Sequence, residues 1–128
     1  LPGLSAPVSV TRDASGMVDI EAADEVDMAR ALGFVHGQER FFEMDLTRRV
    51  AAGELSALFG PRALEVDRTN RVHRLRARSQ AALADIAGPR AAVLAAYTEG
   101  VNAGLASLAV RPWPYLLLRQ APQPWNEV

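Results

Sequence analysis

The sequence predicts an α+β chain, mostly helical behind an amino-terminal β-hairpin. Three observations lead there. Val8 and Val10 alternate with Ser9 and Thr11, turn-forming residues fill Asp13 to Gly16, and Met17, Val18 and Ile20 resume the extended pattern. From Asp24 onward the apolar spacing changes to three and four, the period of a helix. Four prolines and two tryptophans then crowd the stretch from Pro112 to Trp125. The chain reads as a single unit over 1–128, with a hairpin over 1–22, helices over 23–110 and an extended, Pro- and Trp-rich segment over 111–128.

Asp24 suits a helix N-cap, because its carboxylate can accept a free N–H of the first turn, and Val26, Ala29, Ala31, Phe34 and Val35 follow at helical spacing before Gly37. A second helix is predicted from Phe42, Leu46 and Val50 at four-residue steps, widened by Phe41 and Met44 and stopped near Gly53. Leu55, Leu58 and Phe59 form one more turn, closed by Gly60 and Pro61. Leu64, Val72 and Leu75 carry a helix through an arginine-rich stretch. Pro89 opens another, with Leu94, Tyr97, Val101, Leu105 and Leu108 on one face down to about Ala109. Gly100 and Gly104 sit inside it. Each costs about 1 kcal/mol against Ala there, so the close approach of another backbone is the expected reason.

With 128 residues, 49% hydrophobic and 23% charged, the composition is that of a folded domain. A net charge of −1 supplies no general field for nucleic acid or anionic lipid. Acidic residues gather at Asp13, Asp19, Glu21, Asp24, Glu25 and Asp27, and arginines at Arg68, Arg71, Arg74, Arg76 and Arg78; both read as solvated or mutually paired faces. All 14 basic residues are arginine, which removes lysine Schiff-base chemistry. Without cysteine there is no thiolate nucleophile and no sulfur-ligated metal. No apolar run approaches the roughly 20 residues that span a bilayer, so no membrane partner is expected. A start at Leu1, not Met, leads us to expect that a preceding segment was removed or left out.

The residues alone offer no self-sufficient active site. His36, Glu39 and Glu43 would share one face of a continuous helix, yet a metal needs more ligands and Arg40 beside them would repel it, so the expectation is a polar face and no metal site. No Gly-x-Ser-x-Gly elbow or phosphate-binding glycine loop occurs.

Three runs carry a family resemblance: Ala31-Leu-Gly-Phe-Val-His-Gly-Gln-Glu-Arg40, Phe41-Phe-Glu-Met-Asp-Leu-Thr-Arg-Arg49 and Gly53-Glu-Leu-Ser-Ala-Leu-Phe-Gly60. In order and spacing they resemble the signature of the penicillin acylase family of N-terminal nucleophile hydrolases. Arg12, Asp13, Gly16 and Ile20 resemble its opening turn, Asp67 and Arg71 its paired Asp and Arg, Tyr97 to Ala103 its Tyr-Ala-x-Gly-x-Asn-Ala helix, and Pro122 with Trp125 its Pro-x-x-Trp close. Departures stand beside these. Val18-Asp19 replaces a Pro-His, Glu39 replaces an Asp between Gln38 and Arg40, and Leu32 stands where an aromatic is frequent.

The resemblance implies the amino-terminal part of an α subunit. Its larger αββα fold would be completed by a β chain of the same precursor, whose first residue (Ser, Cys or Thr) is the nucleophile. No catalytic residue is then expected here, and the chain alone is expected to be inactive. The substrate class implied is an acylated small molecule such as a β-lactam side chain, an acyl homoserine lactone or a lipopeptide tail. Leu32, Gly33 and Phe34 are expected to border the acyl pocket. Gln38, Glu39, Arg40, Arg48, Arg49, Asp67 and Arg71 are expected to be structural or at the interface, with Arg48 and Arg49 as ion-pair anchors to the partner chain. No cofactor is expected in this chain, although calcium is implied as a possibility for the complete enzyme, and the setting implied is periplasmic or secreted. The residues also admit an independent helical protein-binding adaptor, and more remotely a nucleic-acid role through Arg68 to Arg78.

Overall fold

A computed structural model describes residues 1–128. Its elements follow as β1 (Ser9–Arg12), β2 (Val18–Glu21), α1 (Glu25–Glu39), α2 (Phe41–Ala52), α3 (Ser56–Phe59), a 3-10 turn (Gly60–Ala63), α4 (Leu64–Arg71), α5 (Leu75–Ala84), α6 (Pro89–Ala106) and α7 (Trp113–Leu117). The chain is mostly helical with a two-stranded antiparallel hairpin, as its periodicities predict. It divides into two compact units: residues 1–39, 87–109 and 127 form one, and residues 40–86, 110–126 and 128 the other. The first division falls at Arg40, where φ −136° and ψ 23° leave the helical region between α1 and α2. Neither Gly nor Pro marks that step, so nothing local announces it.

In the first unit β1 pairs β2 in the register Ser9 to Glu21 through Arg12 to Val18. Asp13 builds the turn: its Oδ1 accepts the N–H groups of Ser15 and Met17 and the Ser15 hydroxyl, while Gly16 supplies φ +82°. Helix α1 starts as expected, Asp24 Oδ1 accepting the Asp27 N–H at 2.8 Å. It lies against α6 at glycines. A Cβ on Gly100 or Gly104 would stand 2.1 Å from the carbonyl oxygen of Arg30 or Phe34, and one on Gly33 or Gly37 would stand 2.3 or 2.2 Å from that of Tyr97 or Val101. The close approach expected at Gly100 and Gly104 is therefore real, and α1 answers it with two glycines of its own. Ala29, Ala31, Val35, Ala96 and Val101 complete this core.

In the second unit α2 is buried most deeply at the Phe41 edge of the predicted stripe, joined by Asp45. Phe41 and Asp45 are its buried residues, Phe42 and Leu46 are half-buried, and Val50 is exposed. Asp45 can go inside because it is compensated. Gly53, at φ +68°, ends α2 in the left-handed conformation, and its neighbour Glu54 donates an N–H back to Arg49 O at 2.8 Å. The helix predicted through the arginine-rich stretch is two helices, separated where Arg74 takes φ +51°. The segment predicted as extended contains a turn of helix, α7, opened by Pro112 and Pro114 and seating Tyr115 inside.

Candidate functional site

The second unit holds a polar cluster whose local logic begins on α2. Residues three and four apart share a helix face, so Asp45 meets both Arg48 and Arg49. Arg48 Nε donates to Asp45 Oδ1 at 2.7 Å and Arg49 Nε to Oδ2 at 3.0 Å. The hydroxyl of Tyr115, delivered by α7, donates to Oδ2 at 2.6 Å. Asp45 and Tyr115 are fully buried, and Phe41 and Phe42 enclose the Tyr115 ring. Arg48 then spends its remaining nitrogens on the tail: Nη1 reaches Pro124 O at 3.0 Å, Nη2 reaches Gln123 O at 3.1 Å, and the guanidinium lies 5.0 Å from the centre of the Trp125 ring.

Burial opposes ionisation of Asp45, but the hydrogen bonds from Tyr115, Arg48 and Arg49 outweigh it and hold the carboxyl below its ordinary range. Burial, joined by the hydrogen bond to Asp45, pushes the Tyr115 phenol far above its ordinary value. Neither group changes protonation near neutral pH, so the pair has no proton to exchange there and acts as a clamp. Above it opens a cleft of about 380 Å³ lined by Arg48, Arg49, Glu54, Arg76, Trp125 and Asn126, among others. Arg76 Nη2 donates to Glu54 at 2.8 Å across this lining.

The penicillin amidase family model matches residues 7–128. The chain belongs to that family. It is 44% identical over 126 residues to the penicillin acylase 2 proenzyme of Pseudomonas sp. strain SE83, covering 98% of this chain and 16% of that protein. It is 36% identical over 105 residues to the acyl-homoserine lactone acylase QuiP of Pseudomonas aeruginosa, covering 82% of this chain and 12% of the relative. A thermostable penicillin G acylase from Alcaligenes faecalis shares the fold with a TM-score of 0.82 at 26% identity, over 94% of this chain and 66% of that one. The chain thus spans about a sixth or less of the curated relatives it matches.

Within this family member the residues singled out from the sequence scatter by role. Gly33 is buried against α6, Leu32 is exposed and Phe34 is half-buried. Gln38 Nε2 donates to Ser107 Oγ at 2.9 Å, and Glu39 pairs with Arg12. Arg40 is exposed at the break before α2. Arg48 and Arg49, expected to reach for a partner chain, both direct Nε to Asp45 in their own helix. Asp67 accepts the N–H groups of Leu55 and Ser56 at 2.7 and 2.8 Å, capping the start of α3, while Arg71 Nε closes on Gly53 O at 2.8 Å. His36 Nδ1 lies 3.0 Å from the Tyr97 hydroxyl, and α1 ends at Glu39, so His36, Glu39 and Glu43 do not share one helix.

Sequence reasoning missed the buried aspartates Asp27 and Asp45. Asp27 accepts the Ser5 and Ala6 N–H groups at 3.0 Å and the Ser5 hydroxyl at 2.8 Å, which fastens the amino-terminal segment. The available signal was an acid set among apolar helix positions with an arginine three residues on, Arg30 after Asp27 and Arg48 after Asp45, and a second at Arg49. These carboxylates do not suit calcium. Asp27, Asp45 and Asp67 stand singly, and each is surrounded by N–H, guanidinium or hydroxyl donors that present positive charge where a cation would sit.

Proposed function

We propose that this chain is the amino-terminal part of the α subunit of an amidohydrolase that cleaves an acylated small molecule, with the nucleophile supplied by a β chain of the same precursor. The observation that carries the reading is 44% identity along 98% of the chain to a penicillin acylase proenzyme. Two features support a fold completed by another chain. The hairpin leaves β1 exposed at all four residues, and large apolar side chains stand in solvent, among them Val72, Leu117, Trp113 and Met17 at 78, 75, 72 and 71% exposure. Relatives named for penicillin and for acyl-homoserine lactones make those two acyl amides the substrate classes to test. A periplasmic or secreted setting follows from the same reading.

Expression of the full-length precursor is expected to yield two chains, the second beginning with Ser, Cys or Thr by amino-terminal sequencing, and hydrolysis of penicillin G or an acyl homoserine lactone. A single unprocessed chain without hydrolysis would reject the assignment. At finer scale, Leu32 and Phe34 border the acyl pocket, while Gly33 serves the contact with α6. Phe34→Ala is expected to shift kcat/KM between short and long acyl chains by about tenfold, the scale of a few methylene contacts in an apolar pocket. A uniform decline across chain lengths would place Phe34 in packing alone.

A further inference from the structure

The arginine-lined cleft carries more positive charge than residues 1–128 neutralise. Arg48 is committed at Nε, Nη1 and Nη2. Arg49 is not: its Nε is bound to Asp45, while its two terminal nitrogens meet no acceptor among residues 1–128 and stay open to the cleft. A guanidinium held in place by Asp45, with two donors facing open space, is preorganised for an anionic partner. Arg76 faces the same cleft at 41% exposure with Glu54 as its one acceptor. Counting Asp45 beneath and Glu54 beside them, three guanidinium groups meet two carboxylates, and one positive charge is left uncompensated.

The geometry is fixed in advance. Asp45, held by Tyr115, locks the Nε side of Arg49, which leaves the planar Nη edge to donate to two oxygens side by side. Trp125, resting against Arg48, walls the cleft. We infer that this cleft receives an aspartate or glutamate side chain of the companion chain, gripped by the Nη edge of Arg49 and assisted by Arg76. The site rests on the two-chain reading above and sharpens it, because Arg48 is taken out of the interface and Arg49 and Arg76 are put in.

The test uses the processed two-chain enzyme and measures the dissociation constant between its chains at low and high salt. Arg49→Lys keeps a positive charge beside Asp45 but loses the planar edge, and Arg76→Gln leaves the Asp45 cluster untouched. Arg62→Gln, at an exposed site outside the cleft, is the control. The expected result is a dissociation constant raised about 30-fold by Arg49→Lys and about fivefold by Arg76→Gln, with a shallower salt dependence in both and no change for the control. A two-chain enzyme whose dissociation ignores both substitutions overturns this site and leaves the hydrolase reading standing. A precursor that never forms two chains removes both. Should Arg49→Lys fail to fold, Arg76→Gln decides the matter alone.

Discussion

Asp45 shows how a charge can be stabilising inside a small unit. Removing one partner of a buried ion pair costs about 3 kcal/mol or more, because the survivors keep their desolvation without compensation. Asp45→Ala is therefore expected to lower the stability of the full-length protein by about 3 kcal/mol in urea titrations. Tyr115→Phe, which deletes one hydrogen bond to a charged acceptor, is expected to cost about 1.5 kcal/mol. Equal losses would mean that the arginines contribute little. The same residue sets an acid dependence. Its pKa in the folded state lies below the ordinary 3.8, so the stabilisation is complete above that value and drains away as pH falls through the lowered pKa. Asp13, Asp27 and Asp67 shift in the same direction, the first two led by Ser15 and Ser5 hydrogen bonds, and Asp67 despite burial through bonds from Ser56 and Leu55. Stability should thus fall below about pH 4, and Asp45→Asn should flatten part of that decline. An unchanged acid limb would show that Asp45 is not held ionised.

Helices α1 and α6 are joined by what they lack. Ala in place of Gly inside a helix ordinarily gains about 1 kcal/mol. At Gly100 the new Cβ would stand 2.1 Å from Arg30 O, and a helix backbone cannot step aside as a side-chain tip can. Overpacking of this kind costs about 1 to 3 kcal/mol, so Gly100→Ala and Gly104→Ala are expected to destabilise despite the propensity gain. Hydrogen exchange along α1 and α6 would report it as faster opening of both helices. Gly16 is the contrast, with no heavy atom within 4 Å of an added Cβ and only its positive φ to resist. Gly16→Ala should cost about 1 kcal/mol and stay local to the hairpin. The two helix-internal glycines of α6 were legible as a close approach from their spacing. Their counterparts Gly33 and Gly37 were not, because nothing in one helix names the surface that a second will offer.

Across the whole molecule, exposed apolar area is the feature that the proposed companion chain would cover. Val110, Trp113, Leu116 and Leu117 lie close together in the sequence and are 63, 72, 45 and 75% exposed. Produced without a companion, the chain is expected to elute from size-exclusion chromatography as associated species and to bind an apolar dye, while co-production with the rest of the precursor restores a defined complex. A monodisperse monomer would favour the adaptor reading. Period and turn chemistry were enough to place the hairpin and most helices, since these depend on neighbours within a few residues along the chain, while the family came from the resemblance of three motif runs. The burial of Asp45, the break at Arg40 and the spare donors of Arg49 had to wait for the folded chain. Each depends on groups from distant segments, such as Tyr115 arriving 70 residues after Asp45, and a charge can be judged buried or free only once those groups have closed around it.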